Sequence, residues 1–476
     1  MMEALQEVGW PALLAGGAVP AFVLWLALER WLYRHLDKAL LGLIALAPFH
    51  TLVRGLNADS VLLSGWRDGL YLAVLAVWAG GTLRRRFRVP AAPAILAVLL
   101  LNLAGLLQIL QAETPLAWAA GFRDIIKYSL LAVVAYSVSR ERPDFLRRLV
   151  KTLVAVGVLV VVLQFIFYYL DLDYVLRLGA QPPTRRGIGA FEFRRMEAFF
   201  GGAPSNLGLY LGVPLVMVVA LLQGGQRLPR AWIAGALLLM VGLFMTLSFS
   251  AVLSVAFVSL LLFLGARRRS LLIVALVAAA VWIFSGLAAG FDRAELHGQE
   301  AESFATYVTN IFYRALFLRN WEILTQDGRT FLVGRGLALV GSKSFIEADA
   351  AEGVMIVGSS DGGWVEFAVQ VGAPLALCVL AAVLLTLWRA VRSARGLPPL
   401  WRATVRALAA GQLVMLSSIH IIPWTRVGPD VNFWIVLGAL ACAPDLAAAL
   451  RRDSGRVPSD WSYGRRRMQG GHAHSP

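Results

Sequence analysis

The chain has 476 residues, of which 58% are hydrophobic and 15% charged, with a formal net charge of +15 and a mean hydropathy of +0.68. A chain this long and this apolar cannot close as a soluble domain, and its composition defines an all-α polytopic membrane protein. The positive charge therefore reports membrane topology and contact with anionic lipid; no basic ridge with interleaved aromatics points to nucleic acid.

A spanning helix needs about 20 apolar residues, and runs of that kind recur about thirteen times, within a range of about 12 to 14. In chain order they cover 9–28, 39–55, 61–82, 90–111, 117–139, 149–170, 202–222, 231–247, 249–265, 271–290, 362–388, 403–423 and 431–450. Glu3 and Glu7 precede the first run with no basic residue, which argues against a cleaved signal peptide and for an outer N-terminus. Alternate turns are rich in arginine: Arg84, Arg85, Arg86 and Arg88; Arg140, Arg142, Arg147, Arg148 and Lys151; Arg227 and Arg230; Arg267, Arg268 and Arg269; Arg392, Arg395 and Arg402. These turns, with the basic tail 451–476, are expected on the cytoplasmic side.

Two segments on the other side break this pattern. The loop 171–201 holds Arg177, Arg185, Arg186, Arg194 and Arg195. The first three read as solvated. Arg194 and Arg195 stand directly before "MEAFFGGAPSNLGLYLG", a turn running into the next span, so a guanidinium fork is expected at the membrane surface, at the depth of lipid headgroup phosphates. Asn206, near the start of that span, can cap the helix or bind a ligand, and capping is the commoner role.

The second segment is the insert 291–360, a 70-residue stretch with nine acidic and six basic residues. Phe304, Val308, Ile311, Ala315 and Leu318 recur at helical spacing, predicting an amphipathic helix across the outer surface, with Arg314 and Arg319 on it. Beyond "FLVGRG" and the acidic Glu347, Asp349 and Glu352, Asp361 opens the next span and Glu366 follows a little over one turn inside. A carboxylate at a helix start is favourable as a cap, so Asp361 reads as cap or base. For Glu366, deeper in the span, an interior cavity is the expected surrounding. Cys378 and Cys442 lie inside spans, so neither a disulfide nor a zinc framework is expected. The chain thus divides into spans and an outer loop at 1–290, the insert 291–360, spans at 361–450 and the tail 451–476.

The order of these features, from an arginine ahead of "FFGGAPSNLGLYL" through the hairpin "LFMTLSFSAVLSVAFVSL", "RALFLRNWEIL" and "FLVGRG" to "DGGWVEFAVQVGAPLAL", resembles the O-antigen polymerase and O-antigen ligase superfamily. The resemblance covers about residues 190 to 390. It implies a GT-C-like helical core with a large periplasmic loop between late helices, in a bacterial inner membrane. It also implies transfer of glycan from polyprenyl (undecaprenyl) diphosphate to a sugar hydroxyl, without metal or other cofactor. The expected function is polymerisation of lipid-linked repeat units of O-antigen or exopolysaccharide, with inversion at the anomeric carbon because the transfer is a single displacement. The partners that the resemblance implies are the lipid-linked glycan, membrane lipid and a chain-length regulator.

Carried over to this chain, the diphosphate-binding positions are Arg194 and Arg195, with Arg314 or Arg319 from the loop, and Asn206 beside them. Asp361 and then Glu366 are the candidate bases. Ligases of the superfamily place a histidine where this chain has Asp361, which favours polymerase over ligase. The alternatives are an O-antigen ligase acting on lipid A core and a lipid-linked oligosaccharide flippase or transporter.

Overall fold

The computed structural model describes residues 33–50, 52–53, 61–83, 92–111, 118–119, 121–122, 126–170, 185–188, 191–194, 196, 204–264, 321–337, 363–417 and 429–453. In chain order these hold α1 (Leu36–Leu46), α2 (Val61–Leu83), α3 (Pro93–Leu107), α4 (Leu131–Glu141), α5 (Asp144–Tyr169), β1 (Arg185–Ile188), β2 (Phe191–Arg194), α6 (Pro204–Gln223), α7 (Arg230–Met245), α8 (Phe249–Leu264), α9 (Gly328–Val333), α10 (Gly363–Val371), α11 (Ala373–Ala394), α12 (Pro399–Ser417), α13 (Pro429–Ala441) and α14 (Ala443–Asp453). Among the described residues, five stretches are long and apolar enough to cross a membrane: Pro93–Leu110, Asp144–Tyr169, Asn206–Gln223, Ala373–Ala394 and Asp430–Leu450. The architecture is an α-helical bundle of membrane-spanning character. The expected spans 9–28 and 271–290 and the amphipathic helix of the insert lie outside the described residues.

Small residues let the helices approach closely, which is how apolar helices gain contact where lipid removes the hydrophobic drive between them. A Cβ on Gly212 would lie 2.6 Å from Val255 of α8 and 3.5 Å from Val414 of α12, and one on Gly224 would lie 2.8 Å from Ala403. Residue numbers thus rise along α6 as they fall along α12, so the two are antiparallel. Gly438 of α13 is pressed onto the backbone of Ala132 in α4, and Tyr136 further along α4 donates to Asp445. Helices α4 and α13 therefore run parallel.

Following these directions sorts the bundle into two ends. At one end, Asp37 of α1 accepts from Arg142 and from Arg148, the latter at 2.5 Å, beside the turns holding Arg227, Arg230, Arg392, Arg395 and Arg402. Burial alone would push the Asp37 carboxyl up, but the two guanidiniums prevail and hold it below the usual carboxylate range. The opposite end gathers the starts of α4, α6, α8, α10 and α13.

One expectation is corrected. The run 362–388 is not one helix: α10 stops and α11 begins around Gly372, whose φ of 89° is one that glycine adopts freely. Within the loop 171–201, β1 and β2 pair antiparallel with Arg185 opposite Arg194.

Candidate functional site

The end of the bundle away from the arginine turns carries most of the buried polar groups that the helix cores do not explain. Asn206 stands in the first turn of α6 and is only 5% exposed; among the described residues its Oδ1 has no hydrogen-bond partner. One turn on, Tyr210 is buried near Asn432 of α13. Asn432 lies two residues past Asp430, and the 100° step of a helix places the two on nearly opposite sides of α13. On that far side Asp430 meets Arg67 of α2 at 3.1 Å, both side chains being buried. The Arg67 guanidinium also lies 4.8 Å over the ring of Tyr128, and the Tyr128 hydroxyl donates to Asp68 at 2.8 Å. Ionisable groups this deep among apolar helices are costly and mark functional regions.

Glu366 belongs to the same end. Within the described part of α10, which begins at Gly363, Glu366 falls in the first turn. Its carboxylate is buried and accepts from Gln370 Nε2 at 3.4 Å. Helix α10 is in turn fixed by its C-terminal carbonyls. Arg335 N donates to Val369 O at 2.8 Å and Gly336 N to Gln370 O at 3.2 Å. Gln108, just past α3, adds bonds from Nε2 to Gln370 O at 3.0 Å and to Val333 O at 3.3 Å. The "FLVGRG" end of the insert is thereby latched onto the helix that carries Glu366. The short helix α9 before it is started by Asp327, which accepts from Thr330 N at 2.6 Å and from Thr330 Oγ1 at 2.7 Å. These bonds hold its carboxyl below the ordinary range.

Arg194 ends β2. Arg195 lies outside the described residues, but its chain neighbours are held on both sides: β2 precedes it, and Met196, fully buried, donates its N–H to Met245 O at 3.0 Å. Met245 closes α7, and the turn after it includes Leu247 at φ 49°, an uncommon conformation for a leucine. Arg314, Arg319 and Asp361 also lie outside the described residues. Among the sequence candidates, Asn206 and Glu366 thus reach the same end of the bundle, with the strand bearing Arg194 tied to it through Met196.

Sequence reasoning missed Arg67, Tyr128 and Asp430. The signal was available: "SGWRDGLYL" sets adjacent opposite charges inside an apolar run. Among the described residues no group of three His, Cys, Asp or Glu side chains stands close enough to hold a metal ion.

The fold and this polar end define a helical membrane-spanning protein with a buried polar cluster at one end of its bundle. No family model matches the chain, and no curated protein matches it.

Proposed function

We propose that the protein is a membrane glycosyltransferase that polymerises lipid-linked polysaccharide repeat units, with the end bearing Asn206 and Glu366 facing the periplasm. One observation carries the reading. A buried carboxylate in the first turn of α10 and a buried carboxamide with an unbonded oxygen in the first turn of α6 share one end of the bundle with the tethered arginine strand. Anionic-ligand chemistry at a membrane surface calls for that set: fixed cations for a diphosphate, a carboxylate for a proton and amides for sugar hydroxyls.

In this reading an acceptor hydroxyl attacks the anomeric carbon of the donor glycan, the C–O bond to the diphosphate breaks, and polyprenyl diphosphate leaves with its electrons. Arg195, with Arg194 and either Arg314 or Arg319, stabilises the charge that develops on the leaving group, at about 3 kcal/mol for one well-placed donor. Asp361 or Glu366 takes the hydroxyl proton, an effect of about 10²- to 10⁴-fold. The position of Asp361 where ligases carry histidine favours the polymerase over the ligase.

The test uses purified protein in lipid bilayers supplied with synthetic polyprenyl-diphosphate repeat units, reading glycan chain length. Wild type should give a ladder. Arg195→Lys should lose it because an ammonium cannot copy the fork, and either Asp361→Asn or Glu366→Gln should shorten it. A wild-type protein that extends no lipid-linked repeat unit would remove the proposal; normal ladders from both carboxylate variants would remove the base.

A further inference from the structure

At the arginine end of the bundle, α6 and α11 stop where α12 starts. A Cβ on Gly224, just past α6, would lie 2.8 Å from Ala403 in α12, and Arg395 closes α11 shortly before Pro399 opens α12. Three guanidiniums converge at this junction. Arg406 follows Arg402 by about one helical turn, and among the described residues the charges that act on Arg406 are those of Arg402 and Arg395. Like charges four residues apart on a helix repel. Arg402 also adds to the partial positive charge of a helix start whose first turn holds no acidic residue. Among the described residues none of the three arginines forms an ion pair.

Two buried donors beside them lack an acceptor among the described residues. Arg402 donates from Nη2 to Leu397 O at 3.1 Å, while its buried Nε bonds nothing. Gln223, next to Gly224, has a buried Nε2 in the same condition. Donors without acceptors, together with three uncompensated cations, call for an anion with several oxygens, and a guanidinium fork matches phosphate. The neighbouring surface says which phosphate. Leu384, Trp388 and Val391 are exposed along α11, at spacings that put them on one face with Arg395 next in line. Arg392 lies over the Trp388 ring at 5.1 Å. Because α11 is long and apolar enough to cross a membrane, this stripe meets acyl chains, and its tryptophan and arginines mark the headgroup level.

We propose that Arg395, Arg402 and Arg406 form a binding site for the phosphate headgroup of a bilayer lipid in the leaflet at that end, its chains lying along the face of Leu384, Trp388 and Val391. The site stands at the opposite end of the bundle from Asn206 and Glu366, and it does not depend on the glycosyl-transfer reading.

The test titrates the purified full-length protein, in neutral detergent, with phosphatidylglycerol or phosphatidylcholine and counts bound lipid by native mass spectrometry. One phosphatidylglycerol should bind more tightly than phosphatidylcholine. An arginine near a bilayer surface is worth about 1 kcal/mol toward an anionic lipid, so Arg406→Gln should weaken that binding about fivefold and the pair Arg395→Gln and Arg406→Gln about thirtyfold, with phosphatidylcholine unchanged. Arg395 and Arg406 are both exposed, so their replacement leaves the packing of the bundle in place. The control pair Arg34→Gln and Lys38→Gln removes two exposed charges from the same end at α1 and should leave the affinity as it was. Equal affinity of the wild type for the two lipids would overturn the proposal, and so would equal weakening by the two double variants, which would mean a diffuse field and no site. Inorganic phosphate in excess separates the sources: it should not displace the lipid, and displacement that requires the same arginines would assign the site to a soluble anion and overturn the lipid.

Discussion

Replacing Gly334 with alanine probes the latch between the insert and α10. Gly334 has φ 82° and ψ 173°, a region open almost only to glycine, where an L-residue costs about 1 to 3 kcal/mol. A Cβ there would also stand 2.6 Å from the Gln370 carbonyl carbon and 2.7 Å from Gly372 N, both backbone atoms that cannot rotate away. Relief requires the strand of loop to lift, which breaks the bonds from Arg335 N to Val369 O and from Gly336 N to Gln370 O, about 1 kcal/mol each. Alanine's smaller unfolded-state entropy returns about 0.4 to 1 kcal/mol. The net is a loss of about 2 to 4 kcal/mol, confined to the latch. The assay is thermal inactivation in lipid discs together with hydrogen exchange of the α10 amides, with Gly328→Ala as the control, since a Cβ at Gly328 meets nothing within 4 Å. Gly334→Ala should lower the midpoint by several degrees and speed exchange across α10, while Gly328→Ala does neither. Indistinguishable behaviour of the two variants would refute the latch.

Gly438→Ala should destabilise more broadly, by about 1 to 3 kcal/mol, because its Cβ would stand 2.7 Å from the Ala132 carbonyl carbon and force α4 and α13 apart; a detergent melt no different from wild type would contradict that packing. Met196→Ala should cost about 2 kcal/mol locally and lower polymerisation with normal membrane yield, since it frees the chain beside Arg195; full activity would show that the tether does not matter. The depressed Asp37 carboxyl contributes stability above its ordinary value of 3.8, and that contribution fades as pH falls below 3.8 toward the lowered folded-state value. Melting temperature should therefore drop in that acid window for wild type and much less for Asp37→Asn, which should instead be less stable at neutral pH; identical acid profiles would refute the pairing.

Much of the bundle was legible because an apolar helix must announce itself over its full length. The sequence expectations for α2, α5, α6, α7 and α8 fall within a few residues of the observed elements. What escaped was set by single residues whose meaning depends on neighbours far along the chain. The break at Gly372 hides in "VQVGAPLAL" because a glycine before a proline inside an apolar run reads as continuous until another backbone is pressed against it. The pairing of Arg67 with Asp430 joins residues 363 positions apart, and no local pattern marks such a partner. Asn206 and Glu366 were found because each sits where an apolar run begins, and helix starts are visible in sequence. The hairpin at 185–194 was missed since "RRGIGAFEFR" carries only one short alternation.

The first turn of α13 has a mechanical consequence. Asp430 reaches α2 on one side and Asn432 lies toward Tyr210 of α6 on the other, so any twist of α13 about its own axis strains both contacts together. Turning in place is among the least costly movements for an apolar rod among apolar neighbours, and at this end that freedom is closed by two polar teeth set in opposite walls. Helix α13 is keyed like a shaft, and the spacing between α2 and α6 is held at a fixed width at the end of the bundle that carries Asn206.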